Sequence, residues 1–421
     1  MTRRDGRFRS ALTVFTACGA LAGIALVGAA PASGAQGTAA QGTGARDTAT
    51  TTIAPGVEYS ELDIPAARGV ARAHVLTVDL RDPRVRVDLL YPGTVAARAP
   101  VSRLAADRGA VAGVNGDFFD IEESQHPGVE ATGATVGPAI AGGHALKAAV
   151  PDGQRFGPAL PPGTHTEDVF GVGVDRTARL DALDLDGSVR GEDGIWPLGG
   201  FNQYALPVGS VGAFTADWGA VSRLRATCGT DTDRAAPCGT DTYEVTVRSG
   251  RVTAVADVPG SGAIAAGTTV LVGREAGAQR LRKLSVGERV LVRHGLVARS
   301  SRVPFRFALG GYPMMTGGVP LPGLDDTVSA VRTAVGLSDH GHRLRLLALD
   351  GAPEFRGGLT IAEVTGVMRE LGSQDAFTLD GGGSTTMVAR QPGSETVGVL
   401  NHPTGGAERP VPNGIGVFSR P

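Results

Sequence analysis

Two aspartates, each directly after an apolar run, are the residues of this sequence that could form a catalytic or metal-binding pair. Each stands in a Leu-Asp-Gly segment, Asp350 after residues 344–349 and Asp380 after residues 376–379. If the two runs are neighbouring parallel strands, about 4.8 Å apart, the carboxylates converge at one sheet edge. Such a pair fits three interpretations: a general acid with its partner, ligands of a hard cation, or solvated aspartates favoured by turn chemistry. We favour Asp350 and Asp380 as catalytic residues.

The segment between the two aspartates has the pattern of a helix. Thr360 and Glu363 have the spacing of a capping box, and Gly372 suits the left-handed residue that ends a helix. Apolar side chains at positions 361, 364, 368 and 371 share one face. A helix over 360–371 between two strands predicts a β-α-β unit with parallel strands.

A glycine run follows Asp380 and leads into hydroxyl side chains. Glycines at a strand end let the backbone approach a ligand, and successive amides can form an anion-binding nest. An arginine begins the strand before Asp350 and can offer a guanidinium to a phosphate. The candidate residues for phosphate or substrate in these segments are Arg332, Thr333, Gly381, Gly382, Gly383, Ser384 and Thr385.

Together with two further segments, these motifs resemble the phosphodiester glycosidase family. The matching sequences are Asn115-Gly-Asp-Phe-Phe, Arg332-Thr-Ala-Val-Gly, Leu379-Asp-Gly-Gly-Gly-Ser-Thr-Thr-Met-Val and Arg409-Pro-Val-Pro-Asn-Gly-Ile-Gly-Val-Phe. The resemblance adds Asn115, Asp117 and Asn413 as substrate-binding candidates, although Asp117 stands where the family usually has glycine. It implies hydrolysis of a sugar-1-phosphodiester at the glycosidic C–O bond.

Two other functions stay open beside this one. The first is a metal-dependent phosphodiesterase in which Asp350 and Asp380 hold Ca²⁺ or Mg²⁺. The second is a non-catalytic glycan-binding protein of the envelope. No cofactor is assigned beyond that open divalent cation, and neither the roles within the pair nor a retaining or inverting course is decided. The expected partner is a glycan or sugar phosphate, for example an exopolysaccharide.

The N-terminal residues are typical of an export signal. Arginines at positions 3, 4, 7 and 9 precede a weakly apolar stretch over 11–30 and a run of small residues. We therefore expect a signal peptide over 1–35, its cleavage and secretion, by the Sec or the Tat route. A flexible linker over 36–55 follows. No later apolar run reaches membrane-spanning length, so stable membrane insertion is not expected after cleavage.

Two cysteines remain in the mature chain, and each opens a Cys-Gly-Thr-Asp-Thr segment. In an exported chain Cys228 and Cys238 favour a disulfide that closes a surface loop. A metal site is disfavoured because two thiols lack the other two ligands.

Composition limits the remaining classes and indicates a strand-rich fold. The chain has 421 residues, a formal net charge of −2 and only two lysines, so a basic nucleic-acid surface is not expected. Apolar runs at 73–80 and 84–90 indicate a hairpin. We predict an α+β fold: a mixed sheet with few helices in which the β-α-β unit carries the site. An N-terminal strand-rich segment over 56–110 precedes a phosphodiester glycosidase-like domain over 111–421, with a small β-rich insert at about 225–300.

Overall fold

Four β-sheets dominate the structure, a computed structural model that describes residues 46–47, 50–391 and 394–420. These residues belong to one compact unit. The predicted signal peptide lies outside them. Neighbouring strands are antiparallel in every sheet, apart from one parallel pair, Gly200–Phe201 with Val211–Phe214.

The largest sheet contains the strands that precede Asp350 and Asp380. In spatial order its strands are Arg46–Asp47, Val57–Ala66, Gly69–Asp79, Arg343–Leu349, Thr333–Ser338, Asp375–Leu379, Tyr312–Thr316 and Val319–Pro320, with Thr51–Ala54 paired to Val57–Ala66. A second sheet has the order Val397–Val399, Met387–Arg390, Ala112–Asn115, Gly414–Ser419 and Val85–Leu90.

The other two sheets come mainly from the middle of the chain. One has the order Gly194–Pro197, Ala178–Gly191, Asp168–Gly173, Phe305–Gly310, Ala139–Ala141 and His144–Lys147, with Leu291–Ala298 paired to Ala178–Gly191. The other has the order Gly200–Phe201, Val211–Phe214, Thr268–Arg274, Thr242–Arg248 and Arg251–Ala256. The strand-rich expectation is confirmed, but the strands form several antiparallel sheets instead of one mixed sheet.

Helices are few and short among the described residues. The α-helices are Val101–Arg108, Ala276–Leu281 and Ile361–Glu370, and the 3-10 helices are Asp152–Gln154, Ala216–Trp218, Leu224–Thr227, Asp339–Gly341 and Gly382–Ser384. The predicted capping box is present, because the Glu363 amide donates to Thr360 Oγ1 at 3.1 Å and the Thr360 amide donates to Glu363 Oε2 at 2.7 Å. In the part of the chain that the structure describes, no helix is both long and apolar enough to cross a membrane.

The β-α-β unit differs from the prediction. The strands Arg343–Leu349 and Asp375–Leu379 run in the same direction and the helix Ile361–Glu370 lies between them in sequence. However, Thr333–Ser338 lies between them in the sheet and pairs antiparallel with both. The tight turn Asp339–Gly341 folds Arg343–Leu349 back onto one edge of Thr333–Ser338. The later strand Asp375–Leu379 therefore pairs with the other edge of Thr333–Ser338. The two strand ends are therefore roughly 10 Å apart instead of about 4.8 Å.

Two other local predictions were wrong. The apolar runs around Asp82-Pro83 do not form a hairpin, because Gly69–Asp79 pairs within the largest sheet while Val85–Leu90 pairs with Gly414–Ser419. The predicted linker ends too late, because Thr51–Ala54 forms a strand against Val57–Ala66. Its β-branched side chains favour that extended conformation.

Candidate active site

A pocket of about 480 Å³ lies where the strand Asp375–Leu379 ends. Asp380 is partly exposed on its wall. The residues that line it with Asp380 include Phe118, Phe119, Phe156, Glu122, Arg234 and Arg409. The pocket therefore combines aromatic surface, two carboxylates and two guanidinium groups, which suits an anionic ligand with an apolar face.

The backbone on both sides fixes Asp380 in place. Its amide donates to the Gly116 carbonyl at 2.9 Å, and its carbonyl accepts from Asn115 Nδ2 at 2.7 Å. The Gly381 amide donates to Asp380 Oδ1 at 2.9 Å. Asp380 is thus held by the end of the strand Ala112–Asn115, which belongs to a different sheet.

The surroundings of Asp380 favour its neutral form. Burial raises the pKa of Asp380 to about 6, although hydrogen bonds from Ser384 and the Gly381 amide and the charges of Arg409 and Arg155 oppose the shift. A carboxyl with a pKa near neutrality can both take up and release a proton during a reaction.

Buried polar residues behind Asp380 form one hydrogen-bonded network. Asn115 Oδ1 accepts from Thr333 Oγ1 at 2.8 Å and from the Thr386 amide at 3.1 Å. The hydroxyls of Thr333 and Thr385 are 3.2 Å apart. Asn115, Thr333 and Thr385 are at most 1% exposed, so the structure places these predicted substrate-binding residues behind the pocket, where they position Asp380.

Asn413 and Asp117 lie in a neighbouring buried layer. Asn413 Oδ1 accepts from the Asp117 amide at 3.0 Å, and Asp117 Oδ2 accepts from the Gly137 amide at 2.7 Å. Burial raises the pKa of Asp117 to about 7, against the opposing charge of Lys147. Both predicted residues are no more than 3% exposed, so they adjoin the pocket from within the protein.

Arg332 also turns out to be a buried residue. Its Nη2 donates to the Val328 carbonyl at 2.6 Å and its Nε donates to the Leu359 carbonyl at 3.3 Å. These contacts hold the loop before the helix Ile361–Glu370, and they occupy donors that the sequence assigned to a phosphate.

The glycine run uses its amides within the protein. The Gly382 amide donates to the Val331 carbonyl at 2.7 Å, and the Gly381 amide is bound to Asp380. Two of the three amides of the predicted anion nest are therefore occupied. Gly382 has a φ of +59°, a left-handed conformation that favours glycine.

Gly383 serves a different purpose, since it makes room for Arg409. A Cβ atom at position 383 would lie 2.5 Å from Arg409 Nη2. Arg409 in turn donates from Nη1 to Ser384 Oγ at 3.3 Å, which keeps the guanidinium beside Asp380. Arg409 is thus one of the two cations of this pocket; its motif was identified in the sequence, but the residue was not assigned to the site.

We expect Gly383→Ala to weaken the binding of phosphate-bearing ligands by about tenfold, because the methyl group displaces the Arg409 guanidinium. Isothermal titration with a sugar 1-phosphate measures this. Gly405→Ala is the matched control, because a Cβ there meets no atom within 4 Å. Equal affinity in both variants would show that Arg409 does not depend on Gly383.

Arg155 and Arg234 are further cationic residues that sequence reasoning missed. Arg155 lies over the ring of Phe118 at 5.2 Å, and Arg234 lies over the ring of Phe156 at 4.2 Å. Arg234 also donates to the backbone carbonyl of Arg155. Neither arginine stands in a motif, so no local signal could have identified them.

Arg234 belongs to the loop that the predicted disulfide closes. The disulfide between Cys228 and Cys238 is present. The loop is held against the pocket wall, because Gln154 Nε2 donates to the Thr230 carbonyl at 2.5 Å and Arg234 Nε donates to Gln125 Oε1 at 2.9 Å. The disulfide therefore helps to position a guanidinium in the candidate site.

We expect the double variant Cys228→Ser, Cys238→Ser to raise KM several-fold with little change in kcat, because a looser loop holds Arg234 less firmly. Closing so short a loop stabilises the fold by about 3 kcal/mol or less. Steady-state kinetics and thermal melting measure the two effects. Arg234→Ala should raise KM without the loss of stability, and an unchanged KM in both variants would contradict this role of the loop.

Asp350 stands in a separate cluster. Its Oδ2 atom lies 2.9 Å from His74 Nε2 and 2.9 Å from His402 Nδ1, while its Oδ1 atom accepts from the Ala352 amide at 2.7 Å. Burial alone would raise the pKa of Asp350, but the hydrogen bonds from His402, the Ala352 amide and His74 together hold it below the ordinary value. Asp350 is 1% exposed and does not line the pocket.

The loop after Leu400 connects this cluster to the glycine run. Asn401 Nδ2 donates to the Thr385 carbonyl at 3.0 Å, and Thr404 Oγ1 donates to the Gly382 carbonyl at 3.3 Å. The side chain of His402, between them, is 74% exposed. Asp350 therefore positions an exposed histidine on a loop that packs against the site.

The two aspartates do not fit a shared cation. The carboxylate oxygens of Asp350 already accept from backbone and histidine N–H groups, and Asp380 Oδ1 accepts from the Gly381 amide. Among the described residues, the cluster with metal-ligand spacing is His126 with Cys228 and Cys238, whose sulfur atoms are joined in the disulfide.

Comparison with solved structures shows the fold. A hypothetical protein from Synechocystis superposes with a TM-score of 0.67 at 18% identity, over 88% of this chain and 63% of that protein. This chain thus spans less than two thirds of it. An inferred exported protein from Burkholderia pseudomallei gives a TM-score of 0.66 at 18% identity, over 89% of this chain and 97% of that one.

The zebrafish N-acetylglucosamine-1-phosphodiester alpha-N-acetylglucosaminidase catalytic domain, auto-inhibited by its pro-peptide, gives a TM-score of 0.44 at 15% identity, over 89% of this chain and 88% of that one. Comparison with curated proteins gives no match. Residues 241–418 match the model of the phosphodiester glycosidase family. This segment, which carries Asp350, Asp380 and Arg409, is thus similar to the phosphodiester glycosidase family.

Proposed function

We propose that this protein is a secreted hydrolase that cleaves the glycosidic C–O bond of a sugar-1-phosphodiester in an envelope or extracellular glycan. The observation that carries the proposal is Asp380, a partly exposed carboxyl with a pKa of about 6 that shares its pocket with Arg234 and Arg409. The match of residues 241–418 to the phosphodiester glycosidase family and the aromatic surface of Phe118 and Phe156 support a glycan substrate.

In this proposal the arginines of the pocket bind the substrate and its carboxylates act at the reacting carbon. Arg409 and Arg234 bind the charged phosphodiester, whose phosphate is a weakly basic leaving group and needs little protonation by an acid. Asp380, when ionised, stabilises positive charge on the sugar ring or activates water at the anomeric carbon. Glu122 is the second carboxylate on the wall and is available as its partner.

In this proposal Asp350 acts outside the pocket. It positions His402, and thereby the loop that contacts Gly382 through Thr404. Asp350 is then a positioning residue. The sequence suggested that Asp350 and Asp380 are both catalytic, but in this proposal only Asp380 acts on the substrate.

Export is part of the proposal. The N-terminal arginines, the apolar stretch and the small residues predict a cleaved signal, and the disulfide Cys228–Cys238 fits an oxidising compartment. The structural similarity to an inferred exported protein agrees with this. Intact-mass analysis of secreted protein should find an N-terminus near residues 33–36, and retention of residues 1–30 would contradict export with cleavage.

One experiment separates the proposed reaction from its alternatives. The mature chain is incubated in ¹⁸O water with a panel of sugar-1-phosphodiesters, with and without a chelator. We expect the label in the sugar and turnover in the presence of the chelator, because the cations of the site are arginines. Label in the phosphate would indicate a phosphodiesterase instead. Binding without turnover of any substrate would favour the non-catalytic glycan-binding protein.

A further inference from the structure

A second groove, of about 520 Å³, lies on another part of the molecule and gathers arginines. The arginines that line it are Arg84, Arg86, Arg108, Arg176, Arg306 and Arg420. They come from distant parts of the sequence, and the fold brings them together where the strand Val85–Leu90 begins, beside Asp168–Gly173 and Phe305–Gly310.

The groove is remote from Asp380. The strand Gly414–Ser419 connects the two regions, because Gly414 pairs with Asn115 beside the candidate active site and Ser419 pairs with Val85 beside the groove. Five residue steps along a strand correspond to about 17 Å. The two regions therefore have no lining residue in common.

Three arginines in the groove have internal partners. Arg84 pairs with Asp82 at 2.7 Å, and Arg86 pairs with Asp88 at 2.7 Å. Arg176 Nη2 donates to the Leu80 and Asp82 carbonyls at 2.7 and 2.5 Å. These contacts hold the wall of the groove and leave it strongly positive, because only two carboxylates face six guanidinium groups.

The other three arginines are exposed and have no carboxylate partner within residues 50–391 and 394–420. They are Arg108, Arg306 and Arg420. Burial lowers the pKa of Arg86, and the charges of Arg306, Arg108 and Arg420 lower it further, against the pull of Asp88. These three guanidinium groups therefore act on a common point of the groove, the Arg86 guanidinium, which they repel.

The floor of the groove is apolar. Val85, Val87, Val172 and Phe418 line it, and the Arg86 guanidinium lies 4.1 Å from the centroid of the Phe418 ring. A concave surface with an apolar floor and cationic walls can remove water from a ligand while pairing the charge of that ligand. Arginines spread over a convex, fully hydrated surface cannot do this.

We propose that this groove is a binding site for phosphate-class oxyanions, with Arg108, Arg306 and Arg420 as its ligand-binding residues. Guanidinium groups match phosphate geometry in a bidentate way, and a bound anion offsets the positive charge that they direct at Arg86. The oxyanion can be free phosphate or a phosphate carried on a polymer, since both offer the same group. The proposal does not depend on the reaction at Asp380.

The test compares two triple variants of the mature chain. Arg108→Gln, Arg306→Gln, Arg420→Gln removes the groove cations, and Arg248→Gln, Arg280→Gln, Arg293→Gln removes the same charge from exposed positions elsewhere. Calorimetric titrations with inorganic phosphate and with long-chain polyphosphate separate the two sources of the oxyanion. We expect the groove variant to lose at least about tenfold in affinity for one of these ligands, while the control variant keeps it.

Thermal melting gives a second readout. Without phosphate the groove variant should melt at a higher temperature than the control variant, because repulsion has been removed, and phosphate should raise the melting temperature of the control variant more. Arg306→Gln alone should show the same trends at smaller size. Two outcomes would overturn the proposal. The first is that both triple variants give the same titrations and the same melting shifts. The second is that single-stranded DNA binds more tightly than polyphosphate at equal phosphate concentration. Turnover of a small phosphodiester should not change in the groove variant.

Discussion

Asp380→Asn is expected to lower kcat by at least about 10²-fold, the range of a lost general acid or base, without lowering the melting temperature at neutral pH. The amide keeps the shape of the side chain and can still accept from the Gly381 amide. It cannot exchange a proton or stabilise a developing positive charge. Steady-state kinetics on the substrate found in the ¹⁸O experiment and thermal melting measure the two quantities.

The stability half of this prediction follows from the sign of the pKa shift. The pKa of Asp380 is raised to about 6 by burial, so ionising it costs more in the folded than in the unfolded chain. This lowers the free energy of unfolding progressively as the pH rises from about 4 to about 6, by at most about 3 kcal/mol. Asparagine removes that cost. The melting temperature of the variant relative to the wild type should therefore increase between pH 4 and pH 7.

Two outcomes would remove the catalytic role of Asp380. The first is a variant that keeps more than about a tenth of wild-type kcat, a loss below about 1.4 kcal/mol in the barrier. The second is a large fall in melting temperature at neutral pH, which would make Asp380 a structural residue whose loss disturbs the pocket indirectly.

Local signals in the sequence predicted the local structure well. The Thr360–Glu363 capping box and the apolar face behind it lie within one or two helical turns of each other. The helix start that they predict therefore does not depend on the rest of the chain. The disulfide between Cys228 and Cys238 is local in the same sense. The position of Asp380 at a strand end followed from the apolar run before it and the glycines after it.

Pairing between distant segments was not predictable in this way. Nothing in the run 344–349 shows that Thr333–Ser338 pairs along one edge of it and Gly69–Asp79 along the other. The same limit explains why Arg155 and Arg234 were missed, since Arg234 lines the pocket and Arg155 lies over the ring of Phe118, both from segments without a motif. The net charge near zero likewise does not reveal the arginine groove, because it is a sum over the whole chain and the fold places positive and negative side chains in different regions.

Asp350→Asn is expected to have the opposite effect on stability, although it is the same substitution in the other Leu-Asp-Gly segment. Asp350 is buried and its two carboxylate oxygens accept from His74, His402 and the Ala352 amide. In asparagine one oxygen becomes an NH₂ group, which faces N–H donors. We expect a loss of about 2–3 kcal/mol, because buried donors lose their acceptor.

The pH dependence separates Asp350 further from Asp380. The pKa of Asp350 is held below its ordinary value, so its carboxylate stabilises the fold above the unfolded pKa, and that contribution is lost as the pH falls through the folded pKa. The penalty of Asp350→Asn should thus be largest near neutrality and shrink towards acid. Denaturant unfolding between pH 3 and pH 7 measures it for both variants.

Kinetics then decide whether Asp350 does more than hold its loop. If it acts by positioning His402, kcat of Asp350→Asn at a temperature where the variant is folded should fall less than in Asp380→Asn, and His402→Gln should reproduce that smaller fall without the loss of stability. His402 can be replaced at little structural cost because its side chain is mostly exposed. If instead Asp350→Asn is stable and as inactive as Asp380→Asn, the two carboxylates act together despite the strand between them, and the unequal roles assigned here would be wrong.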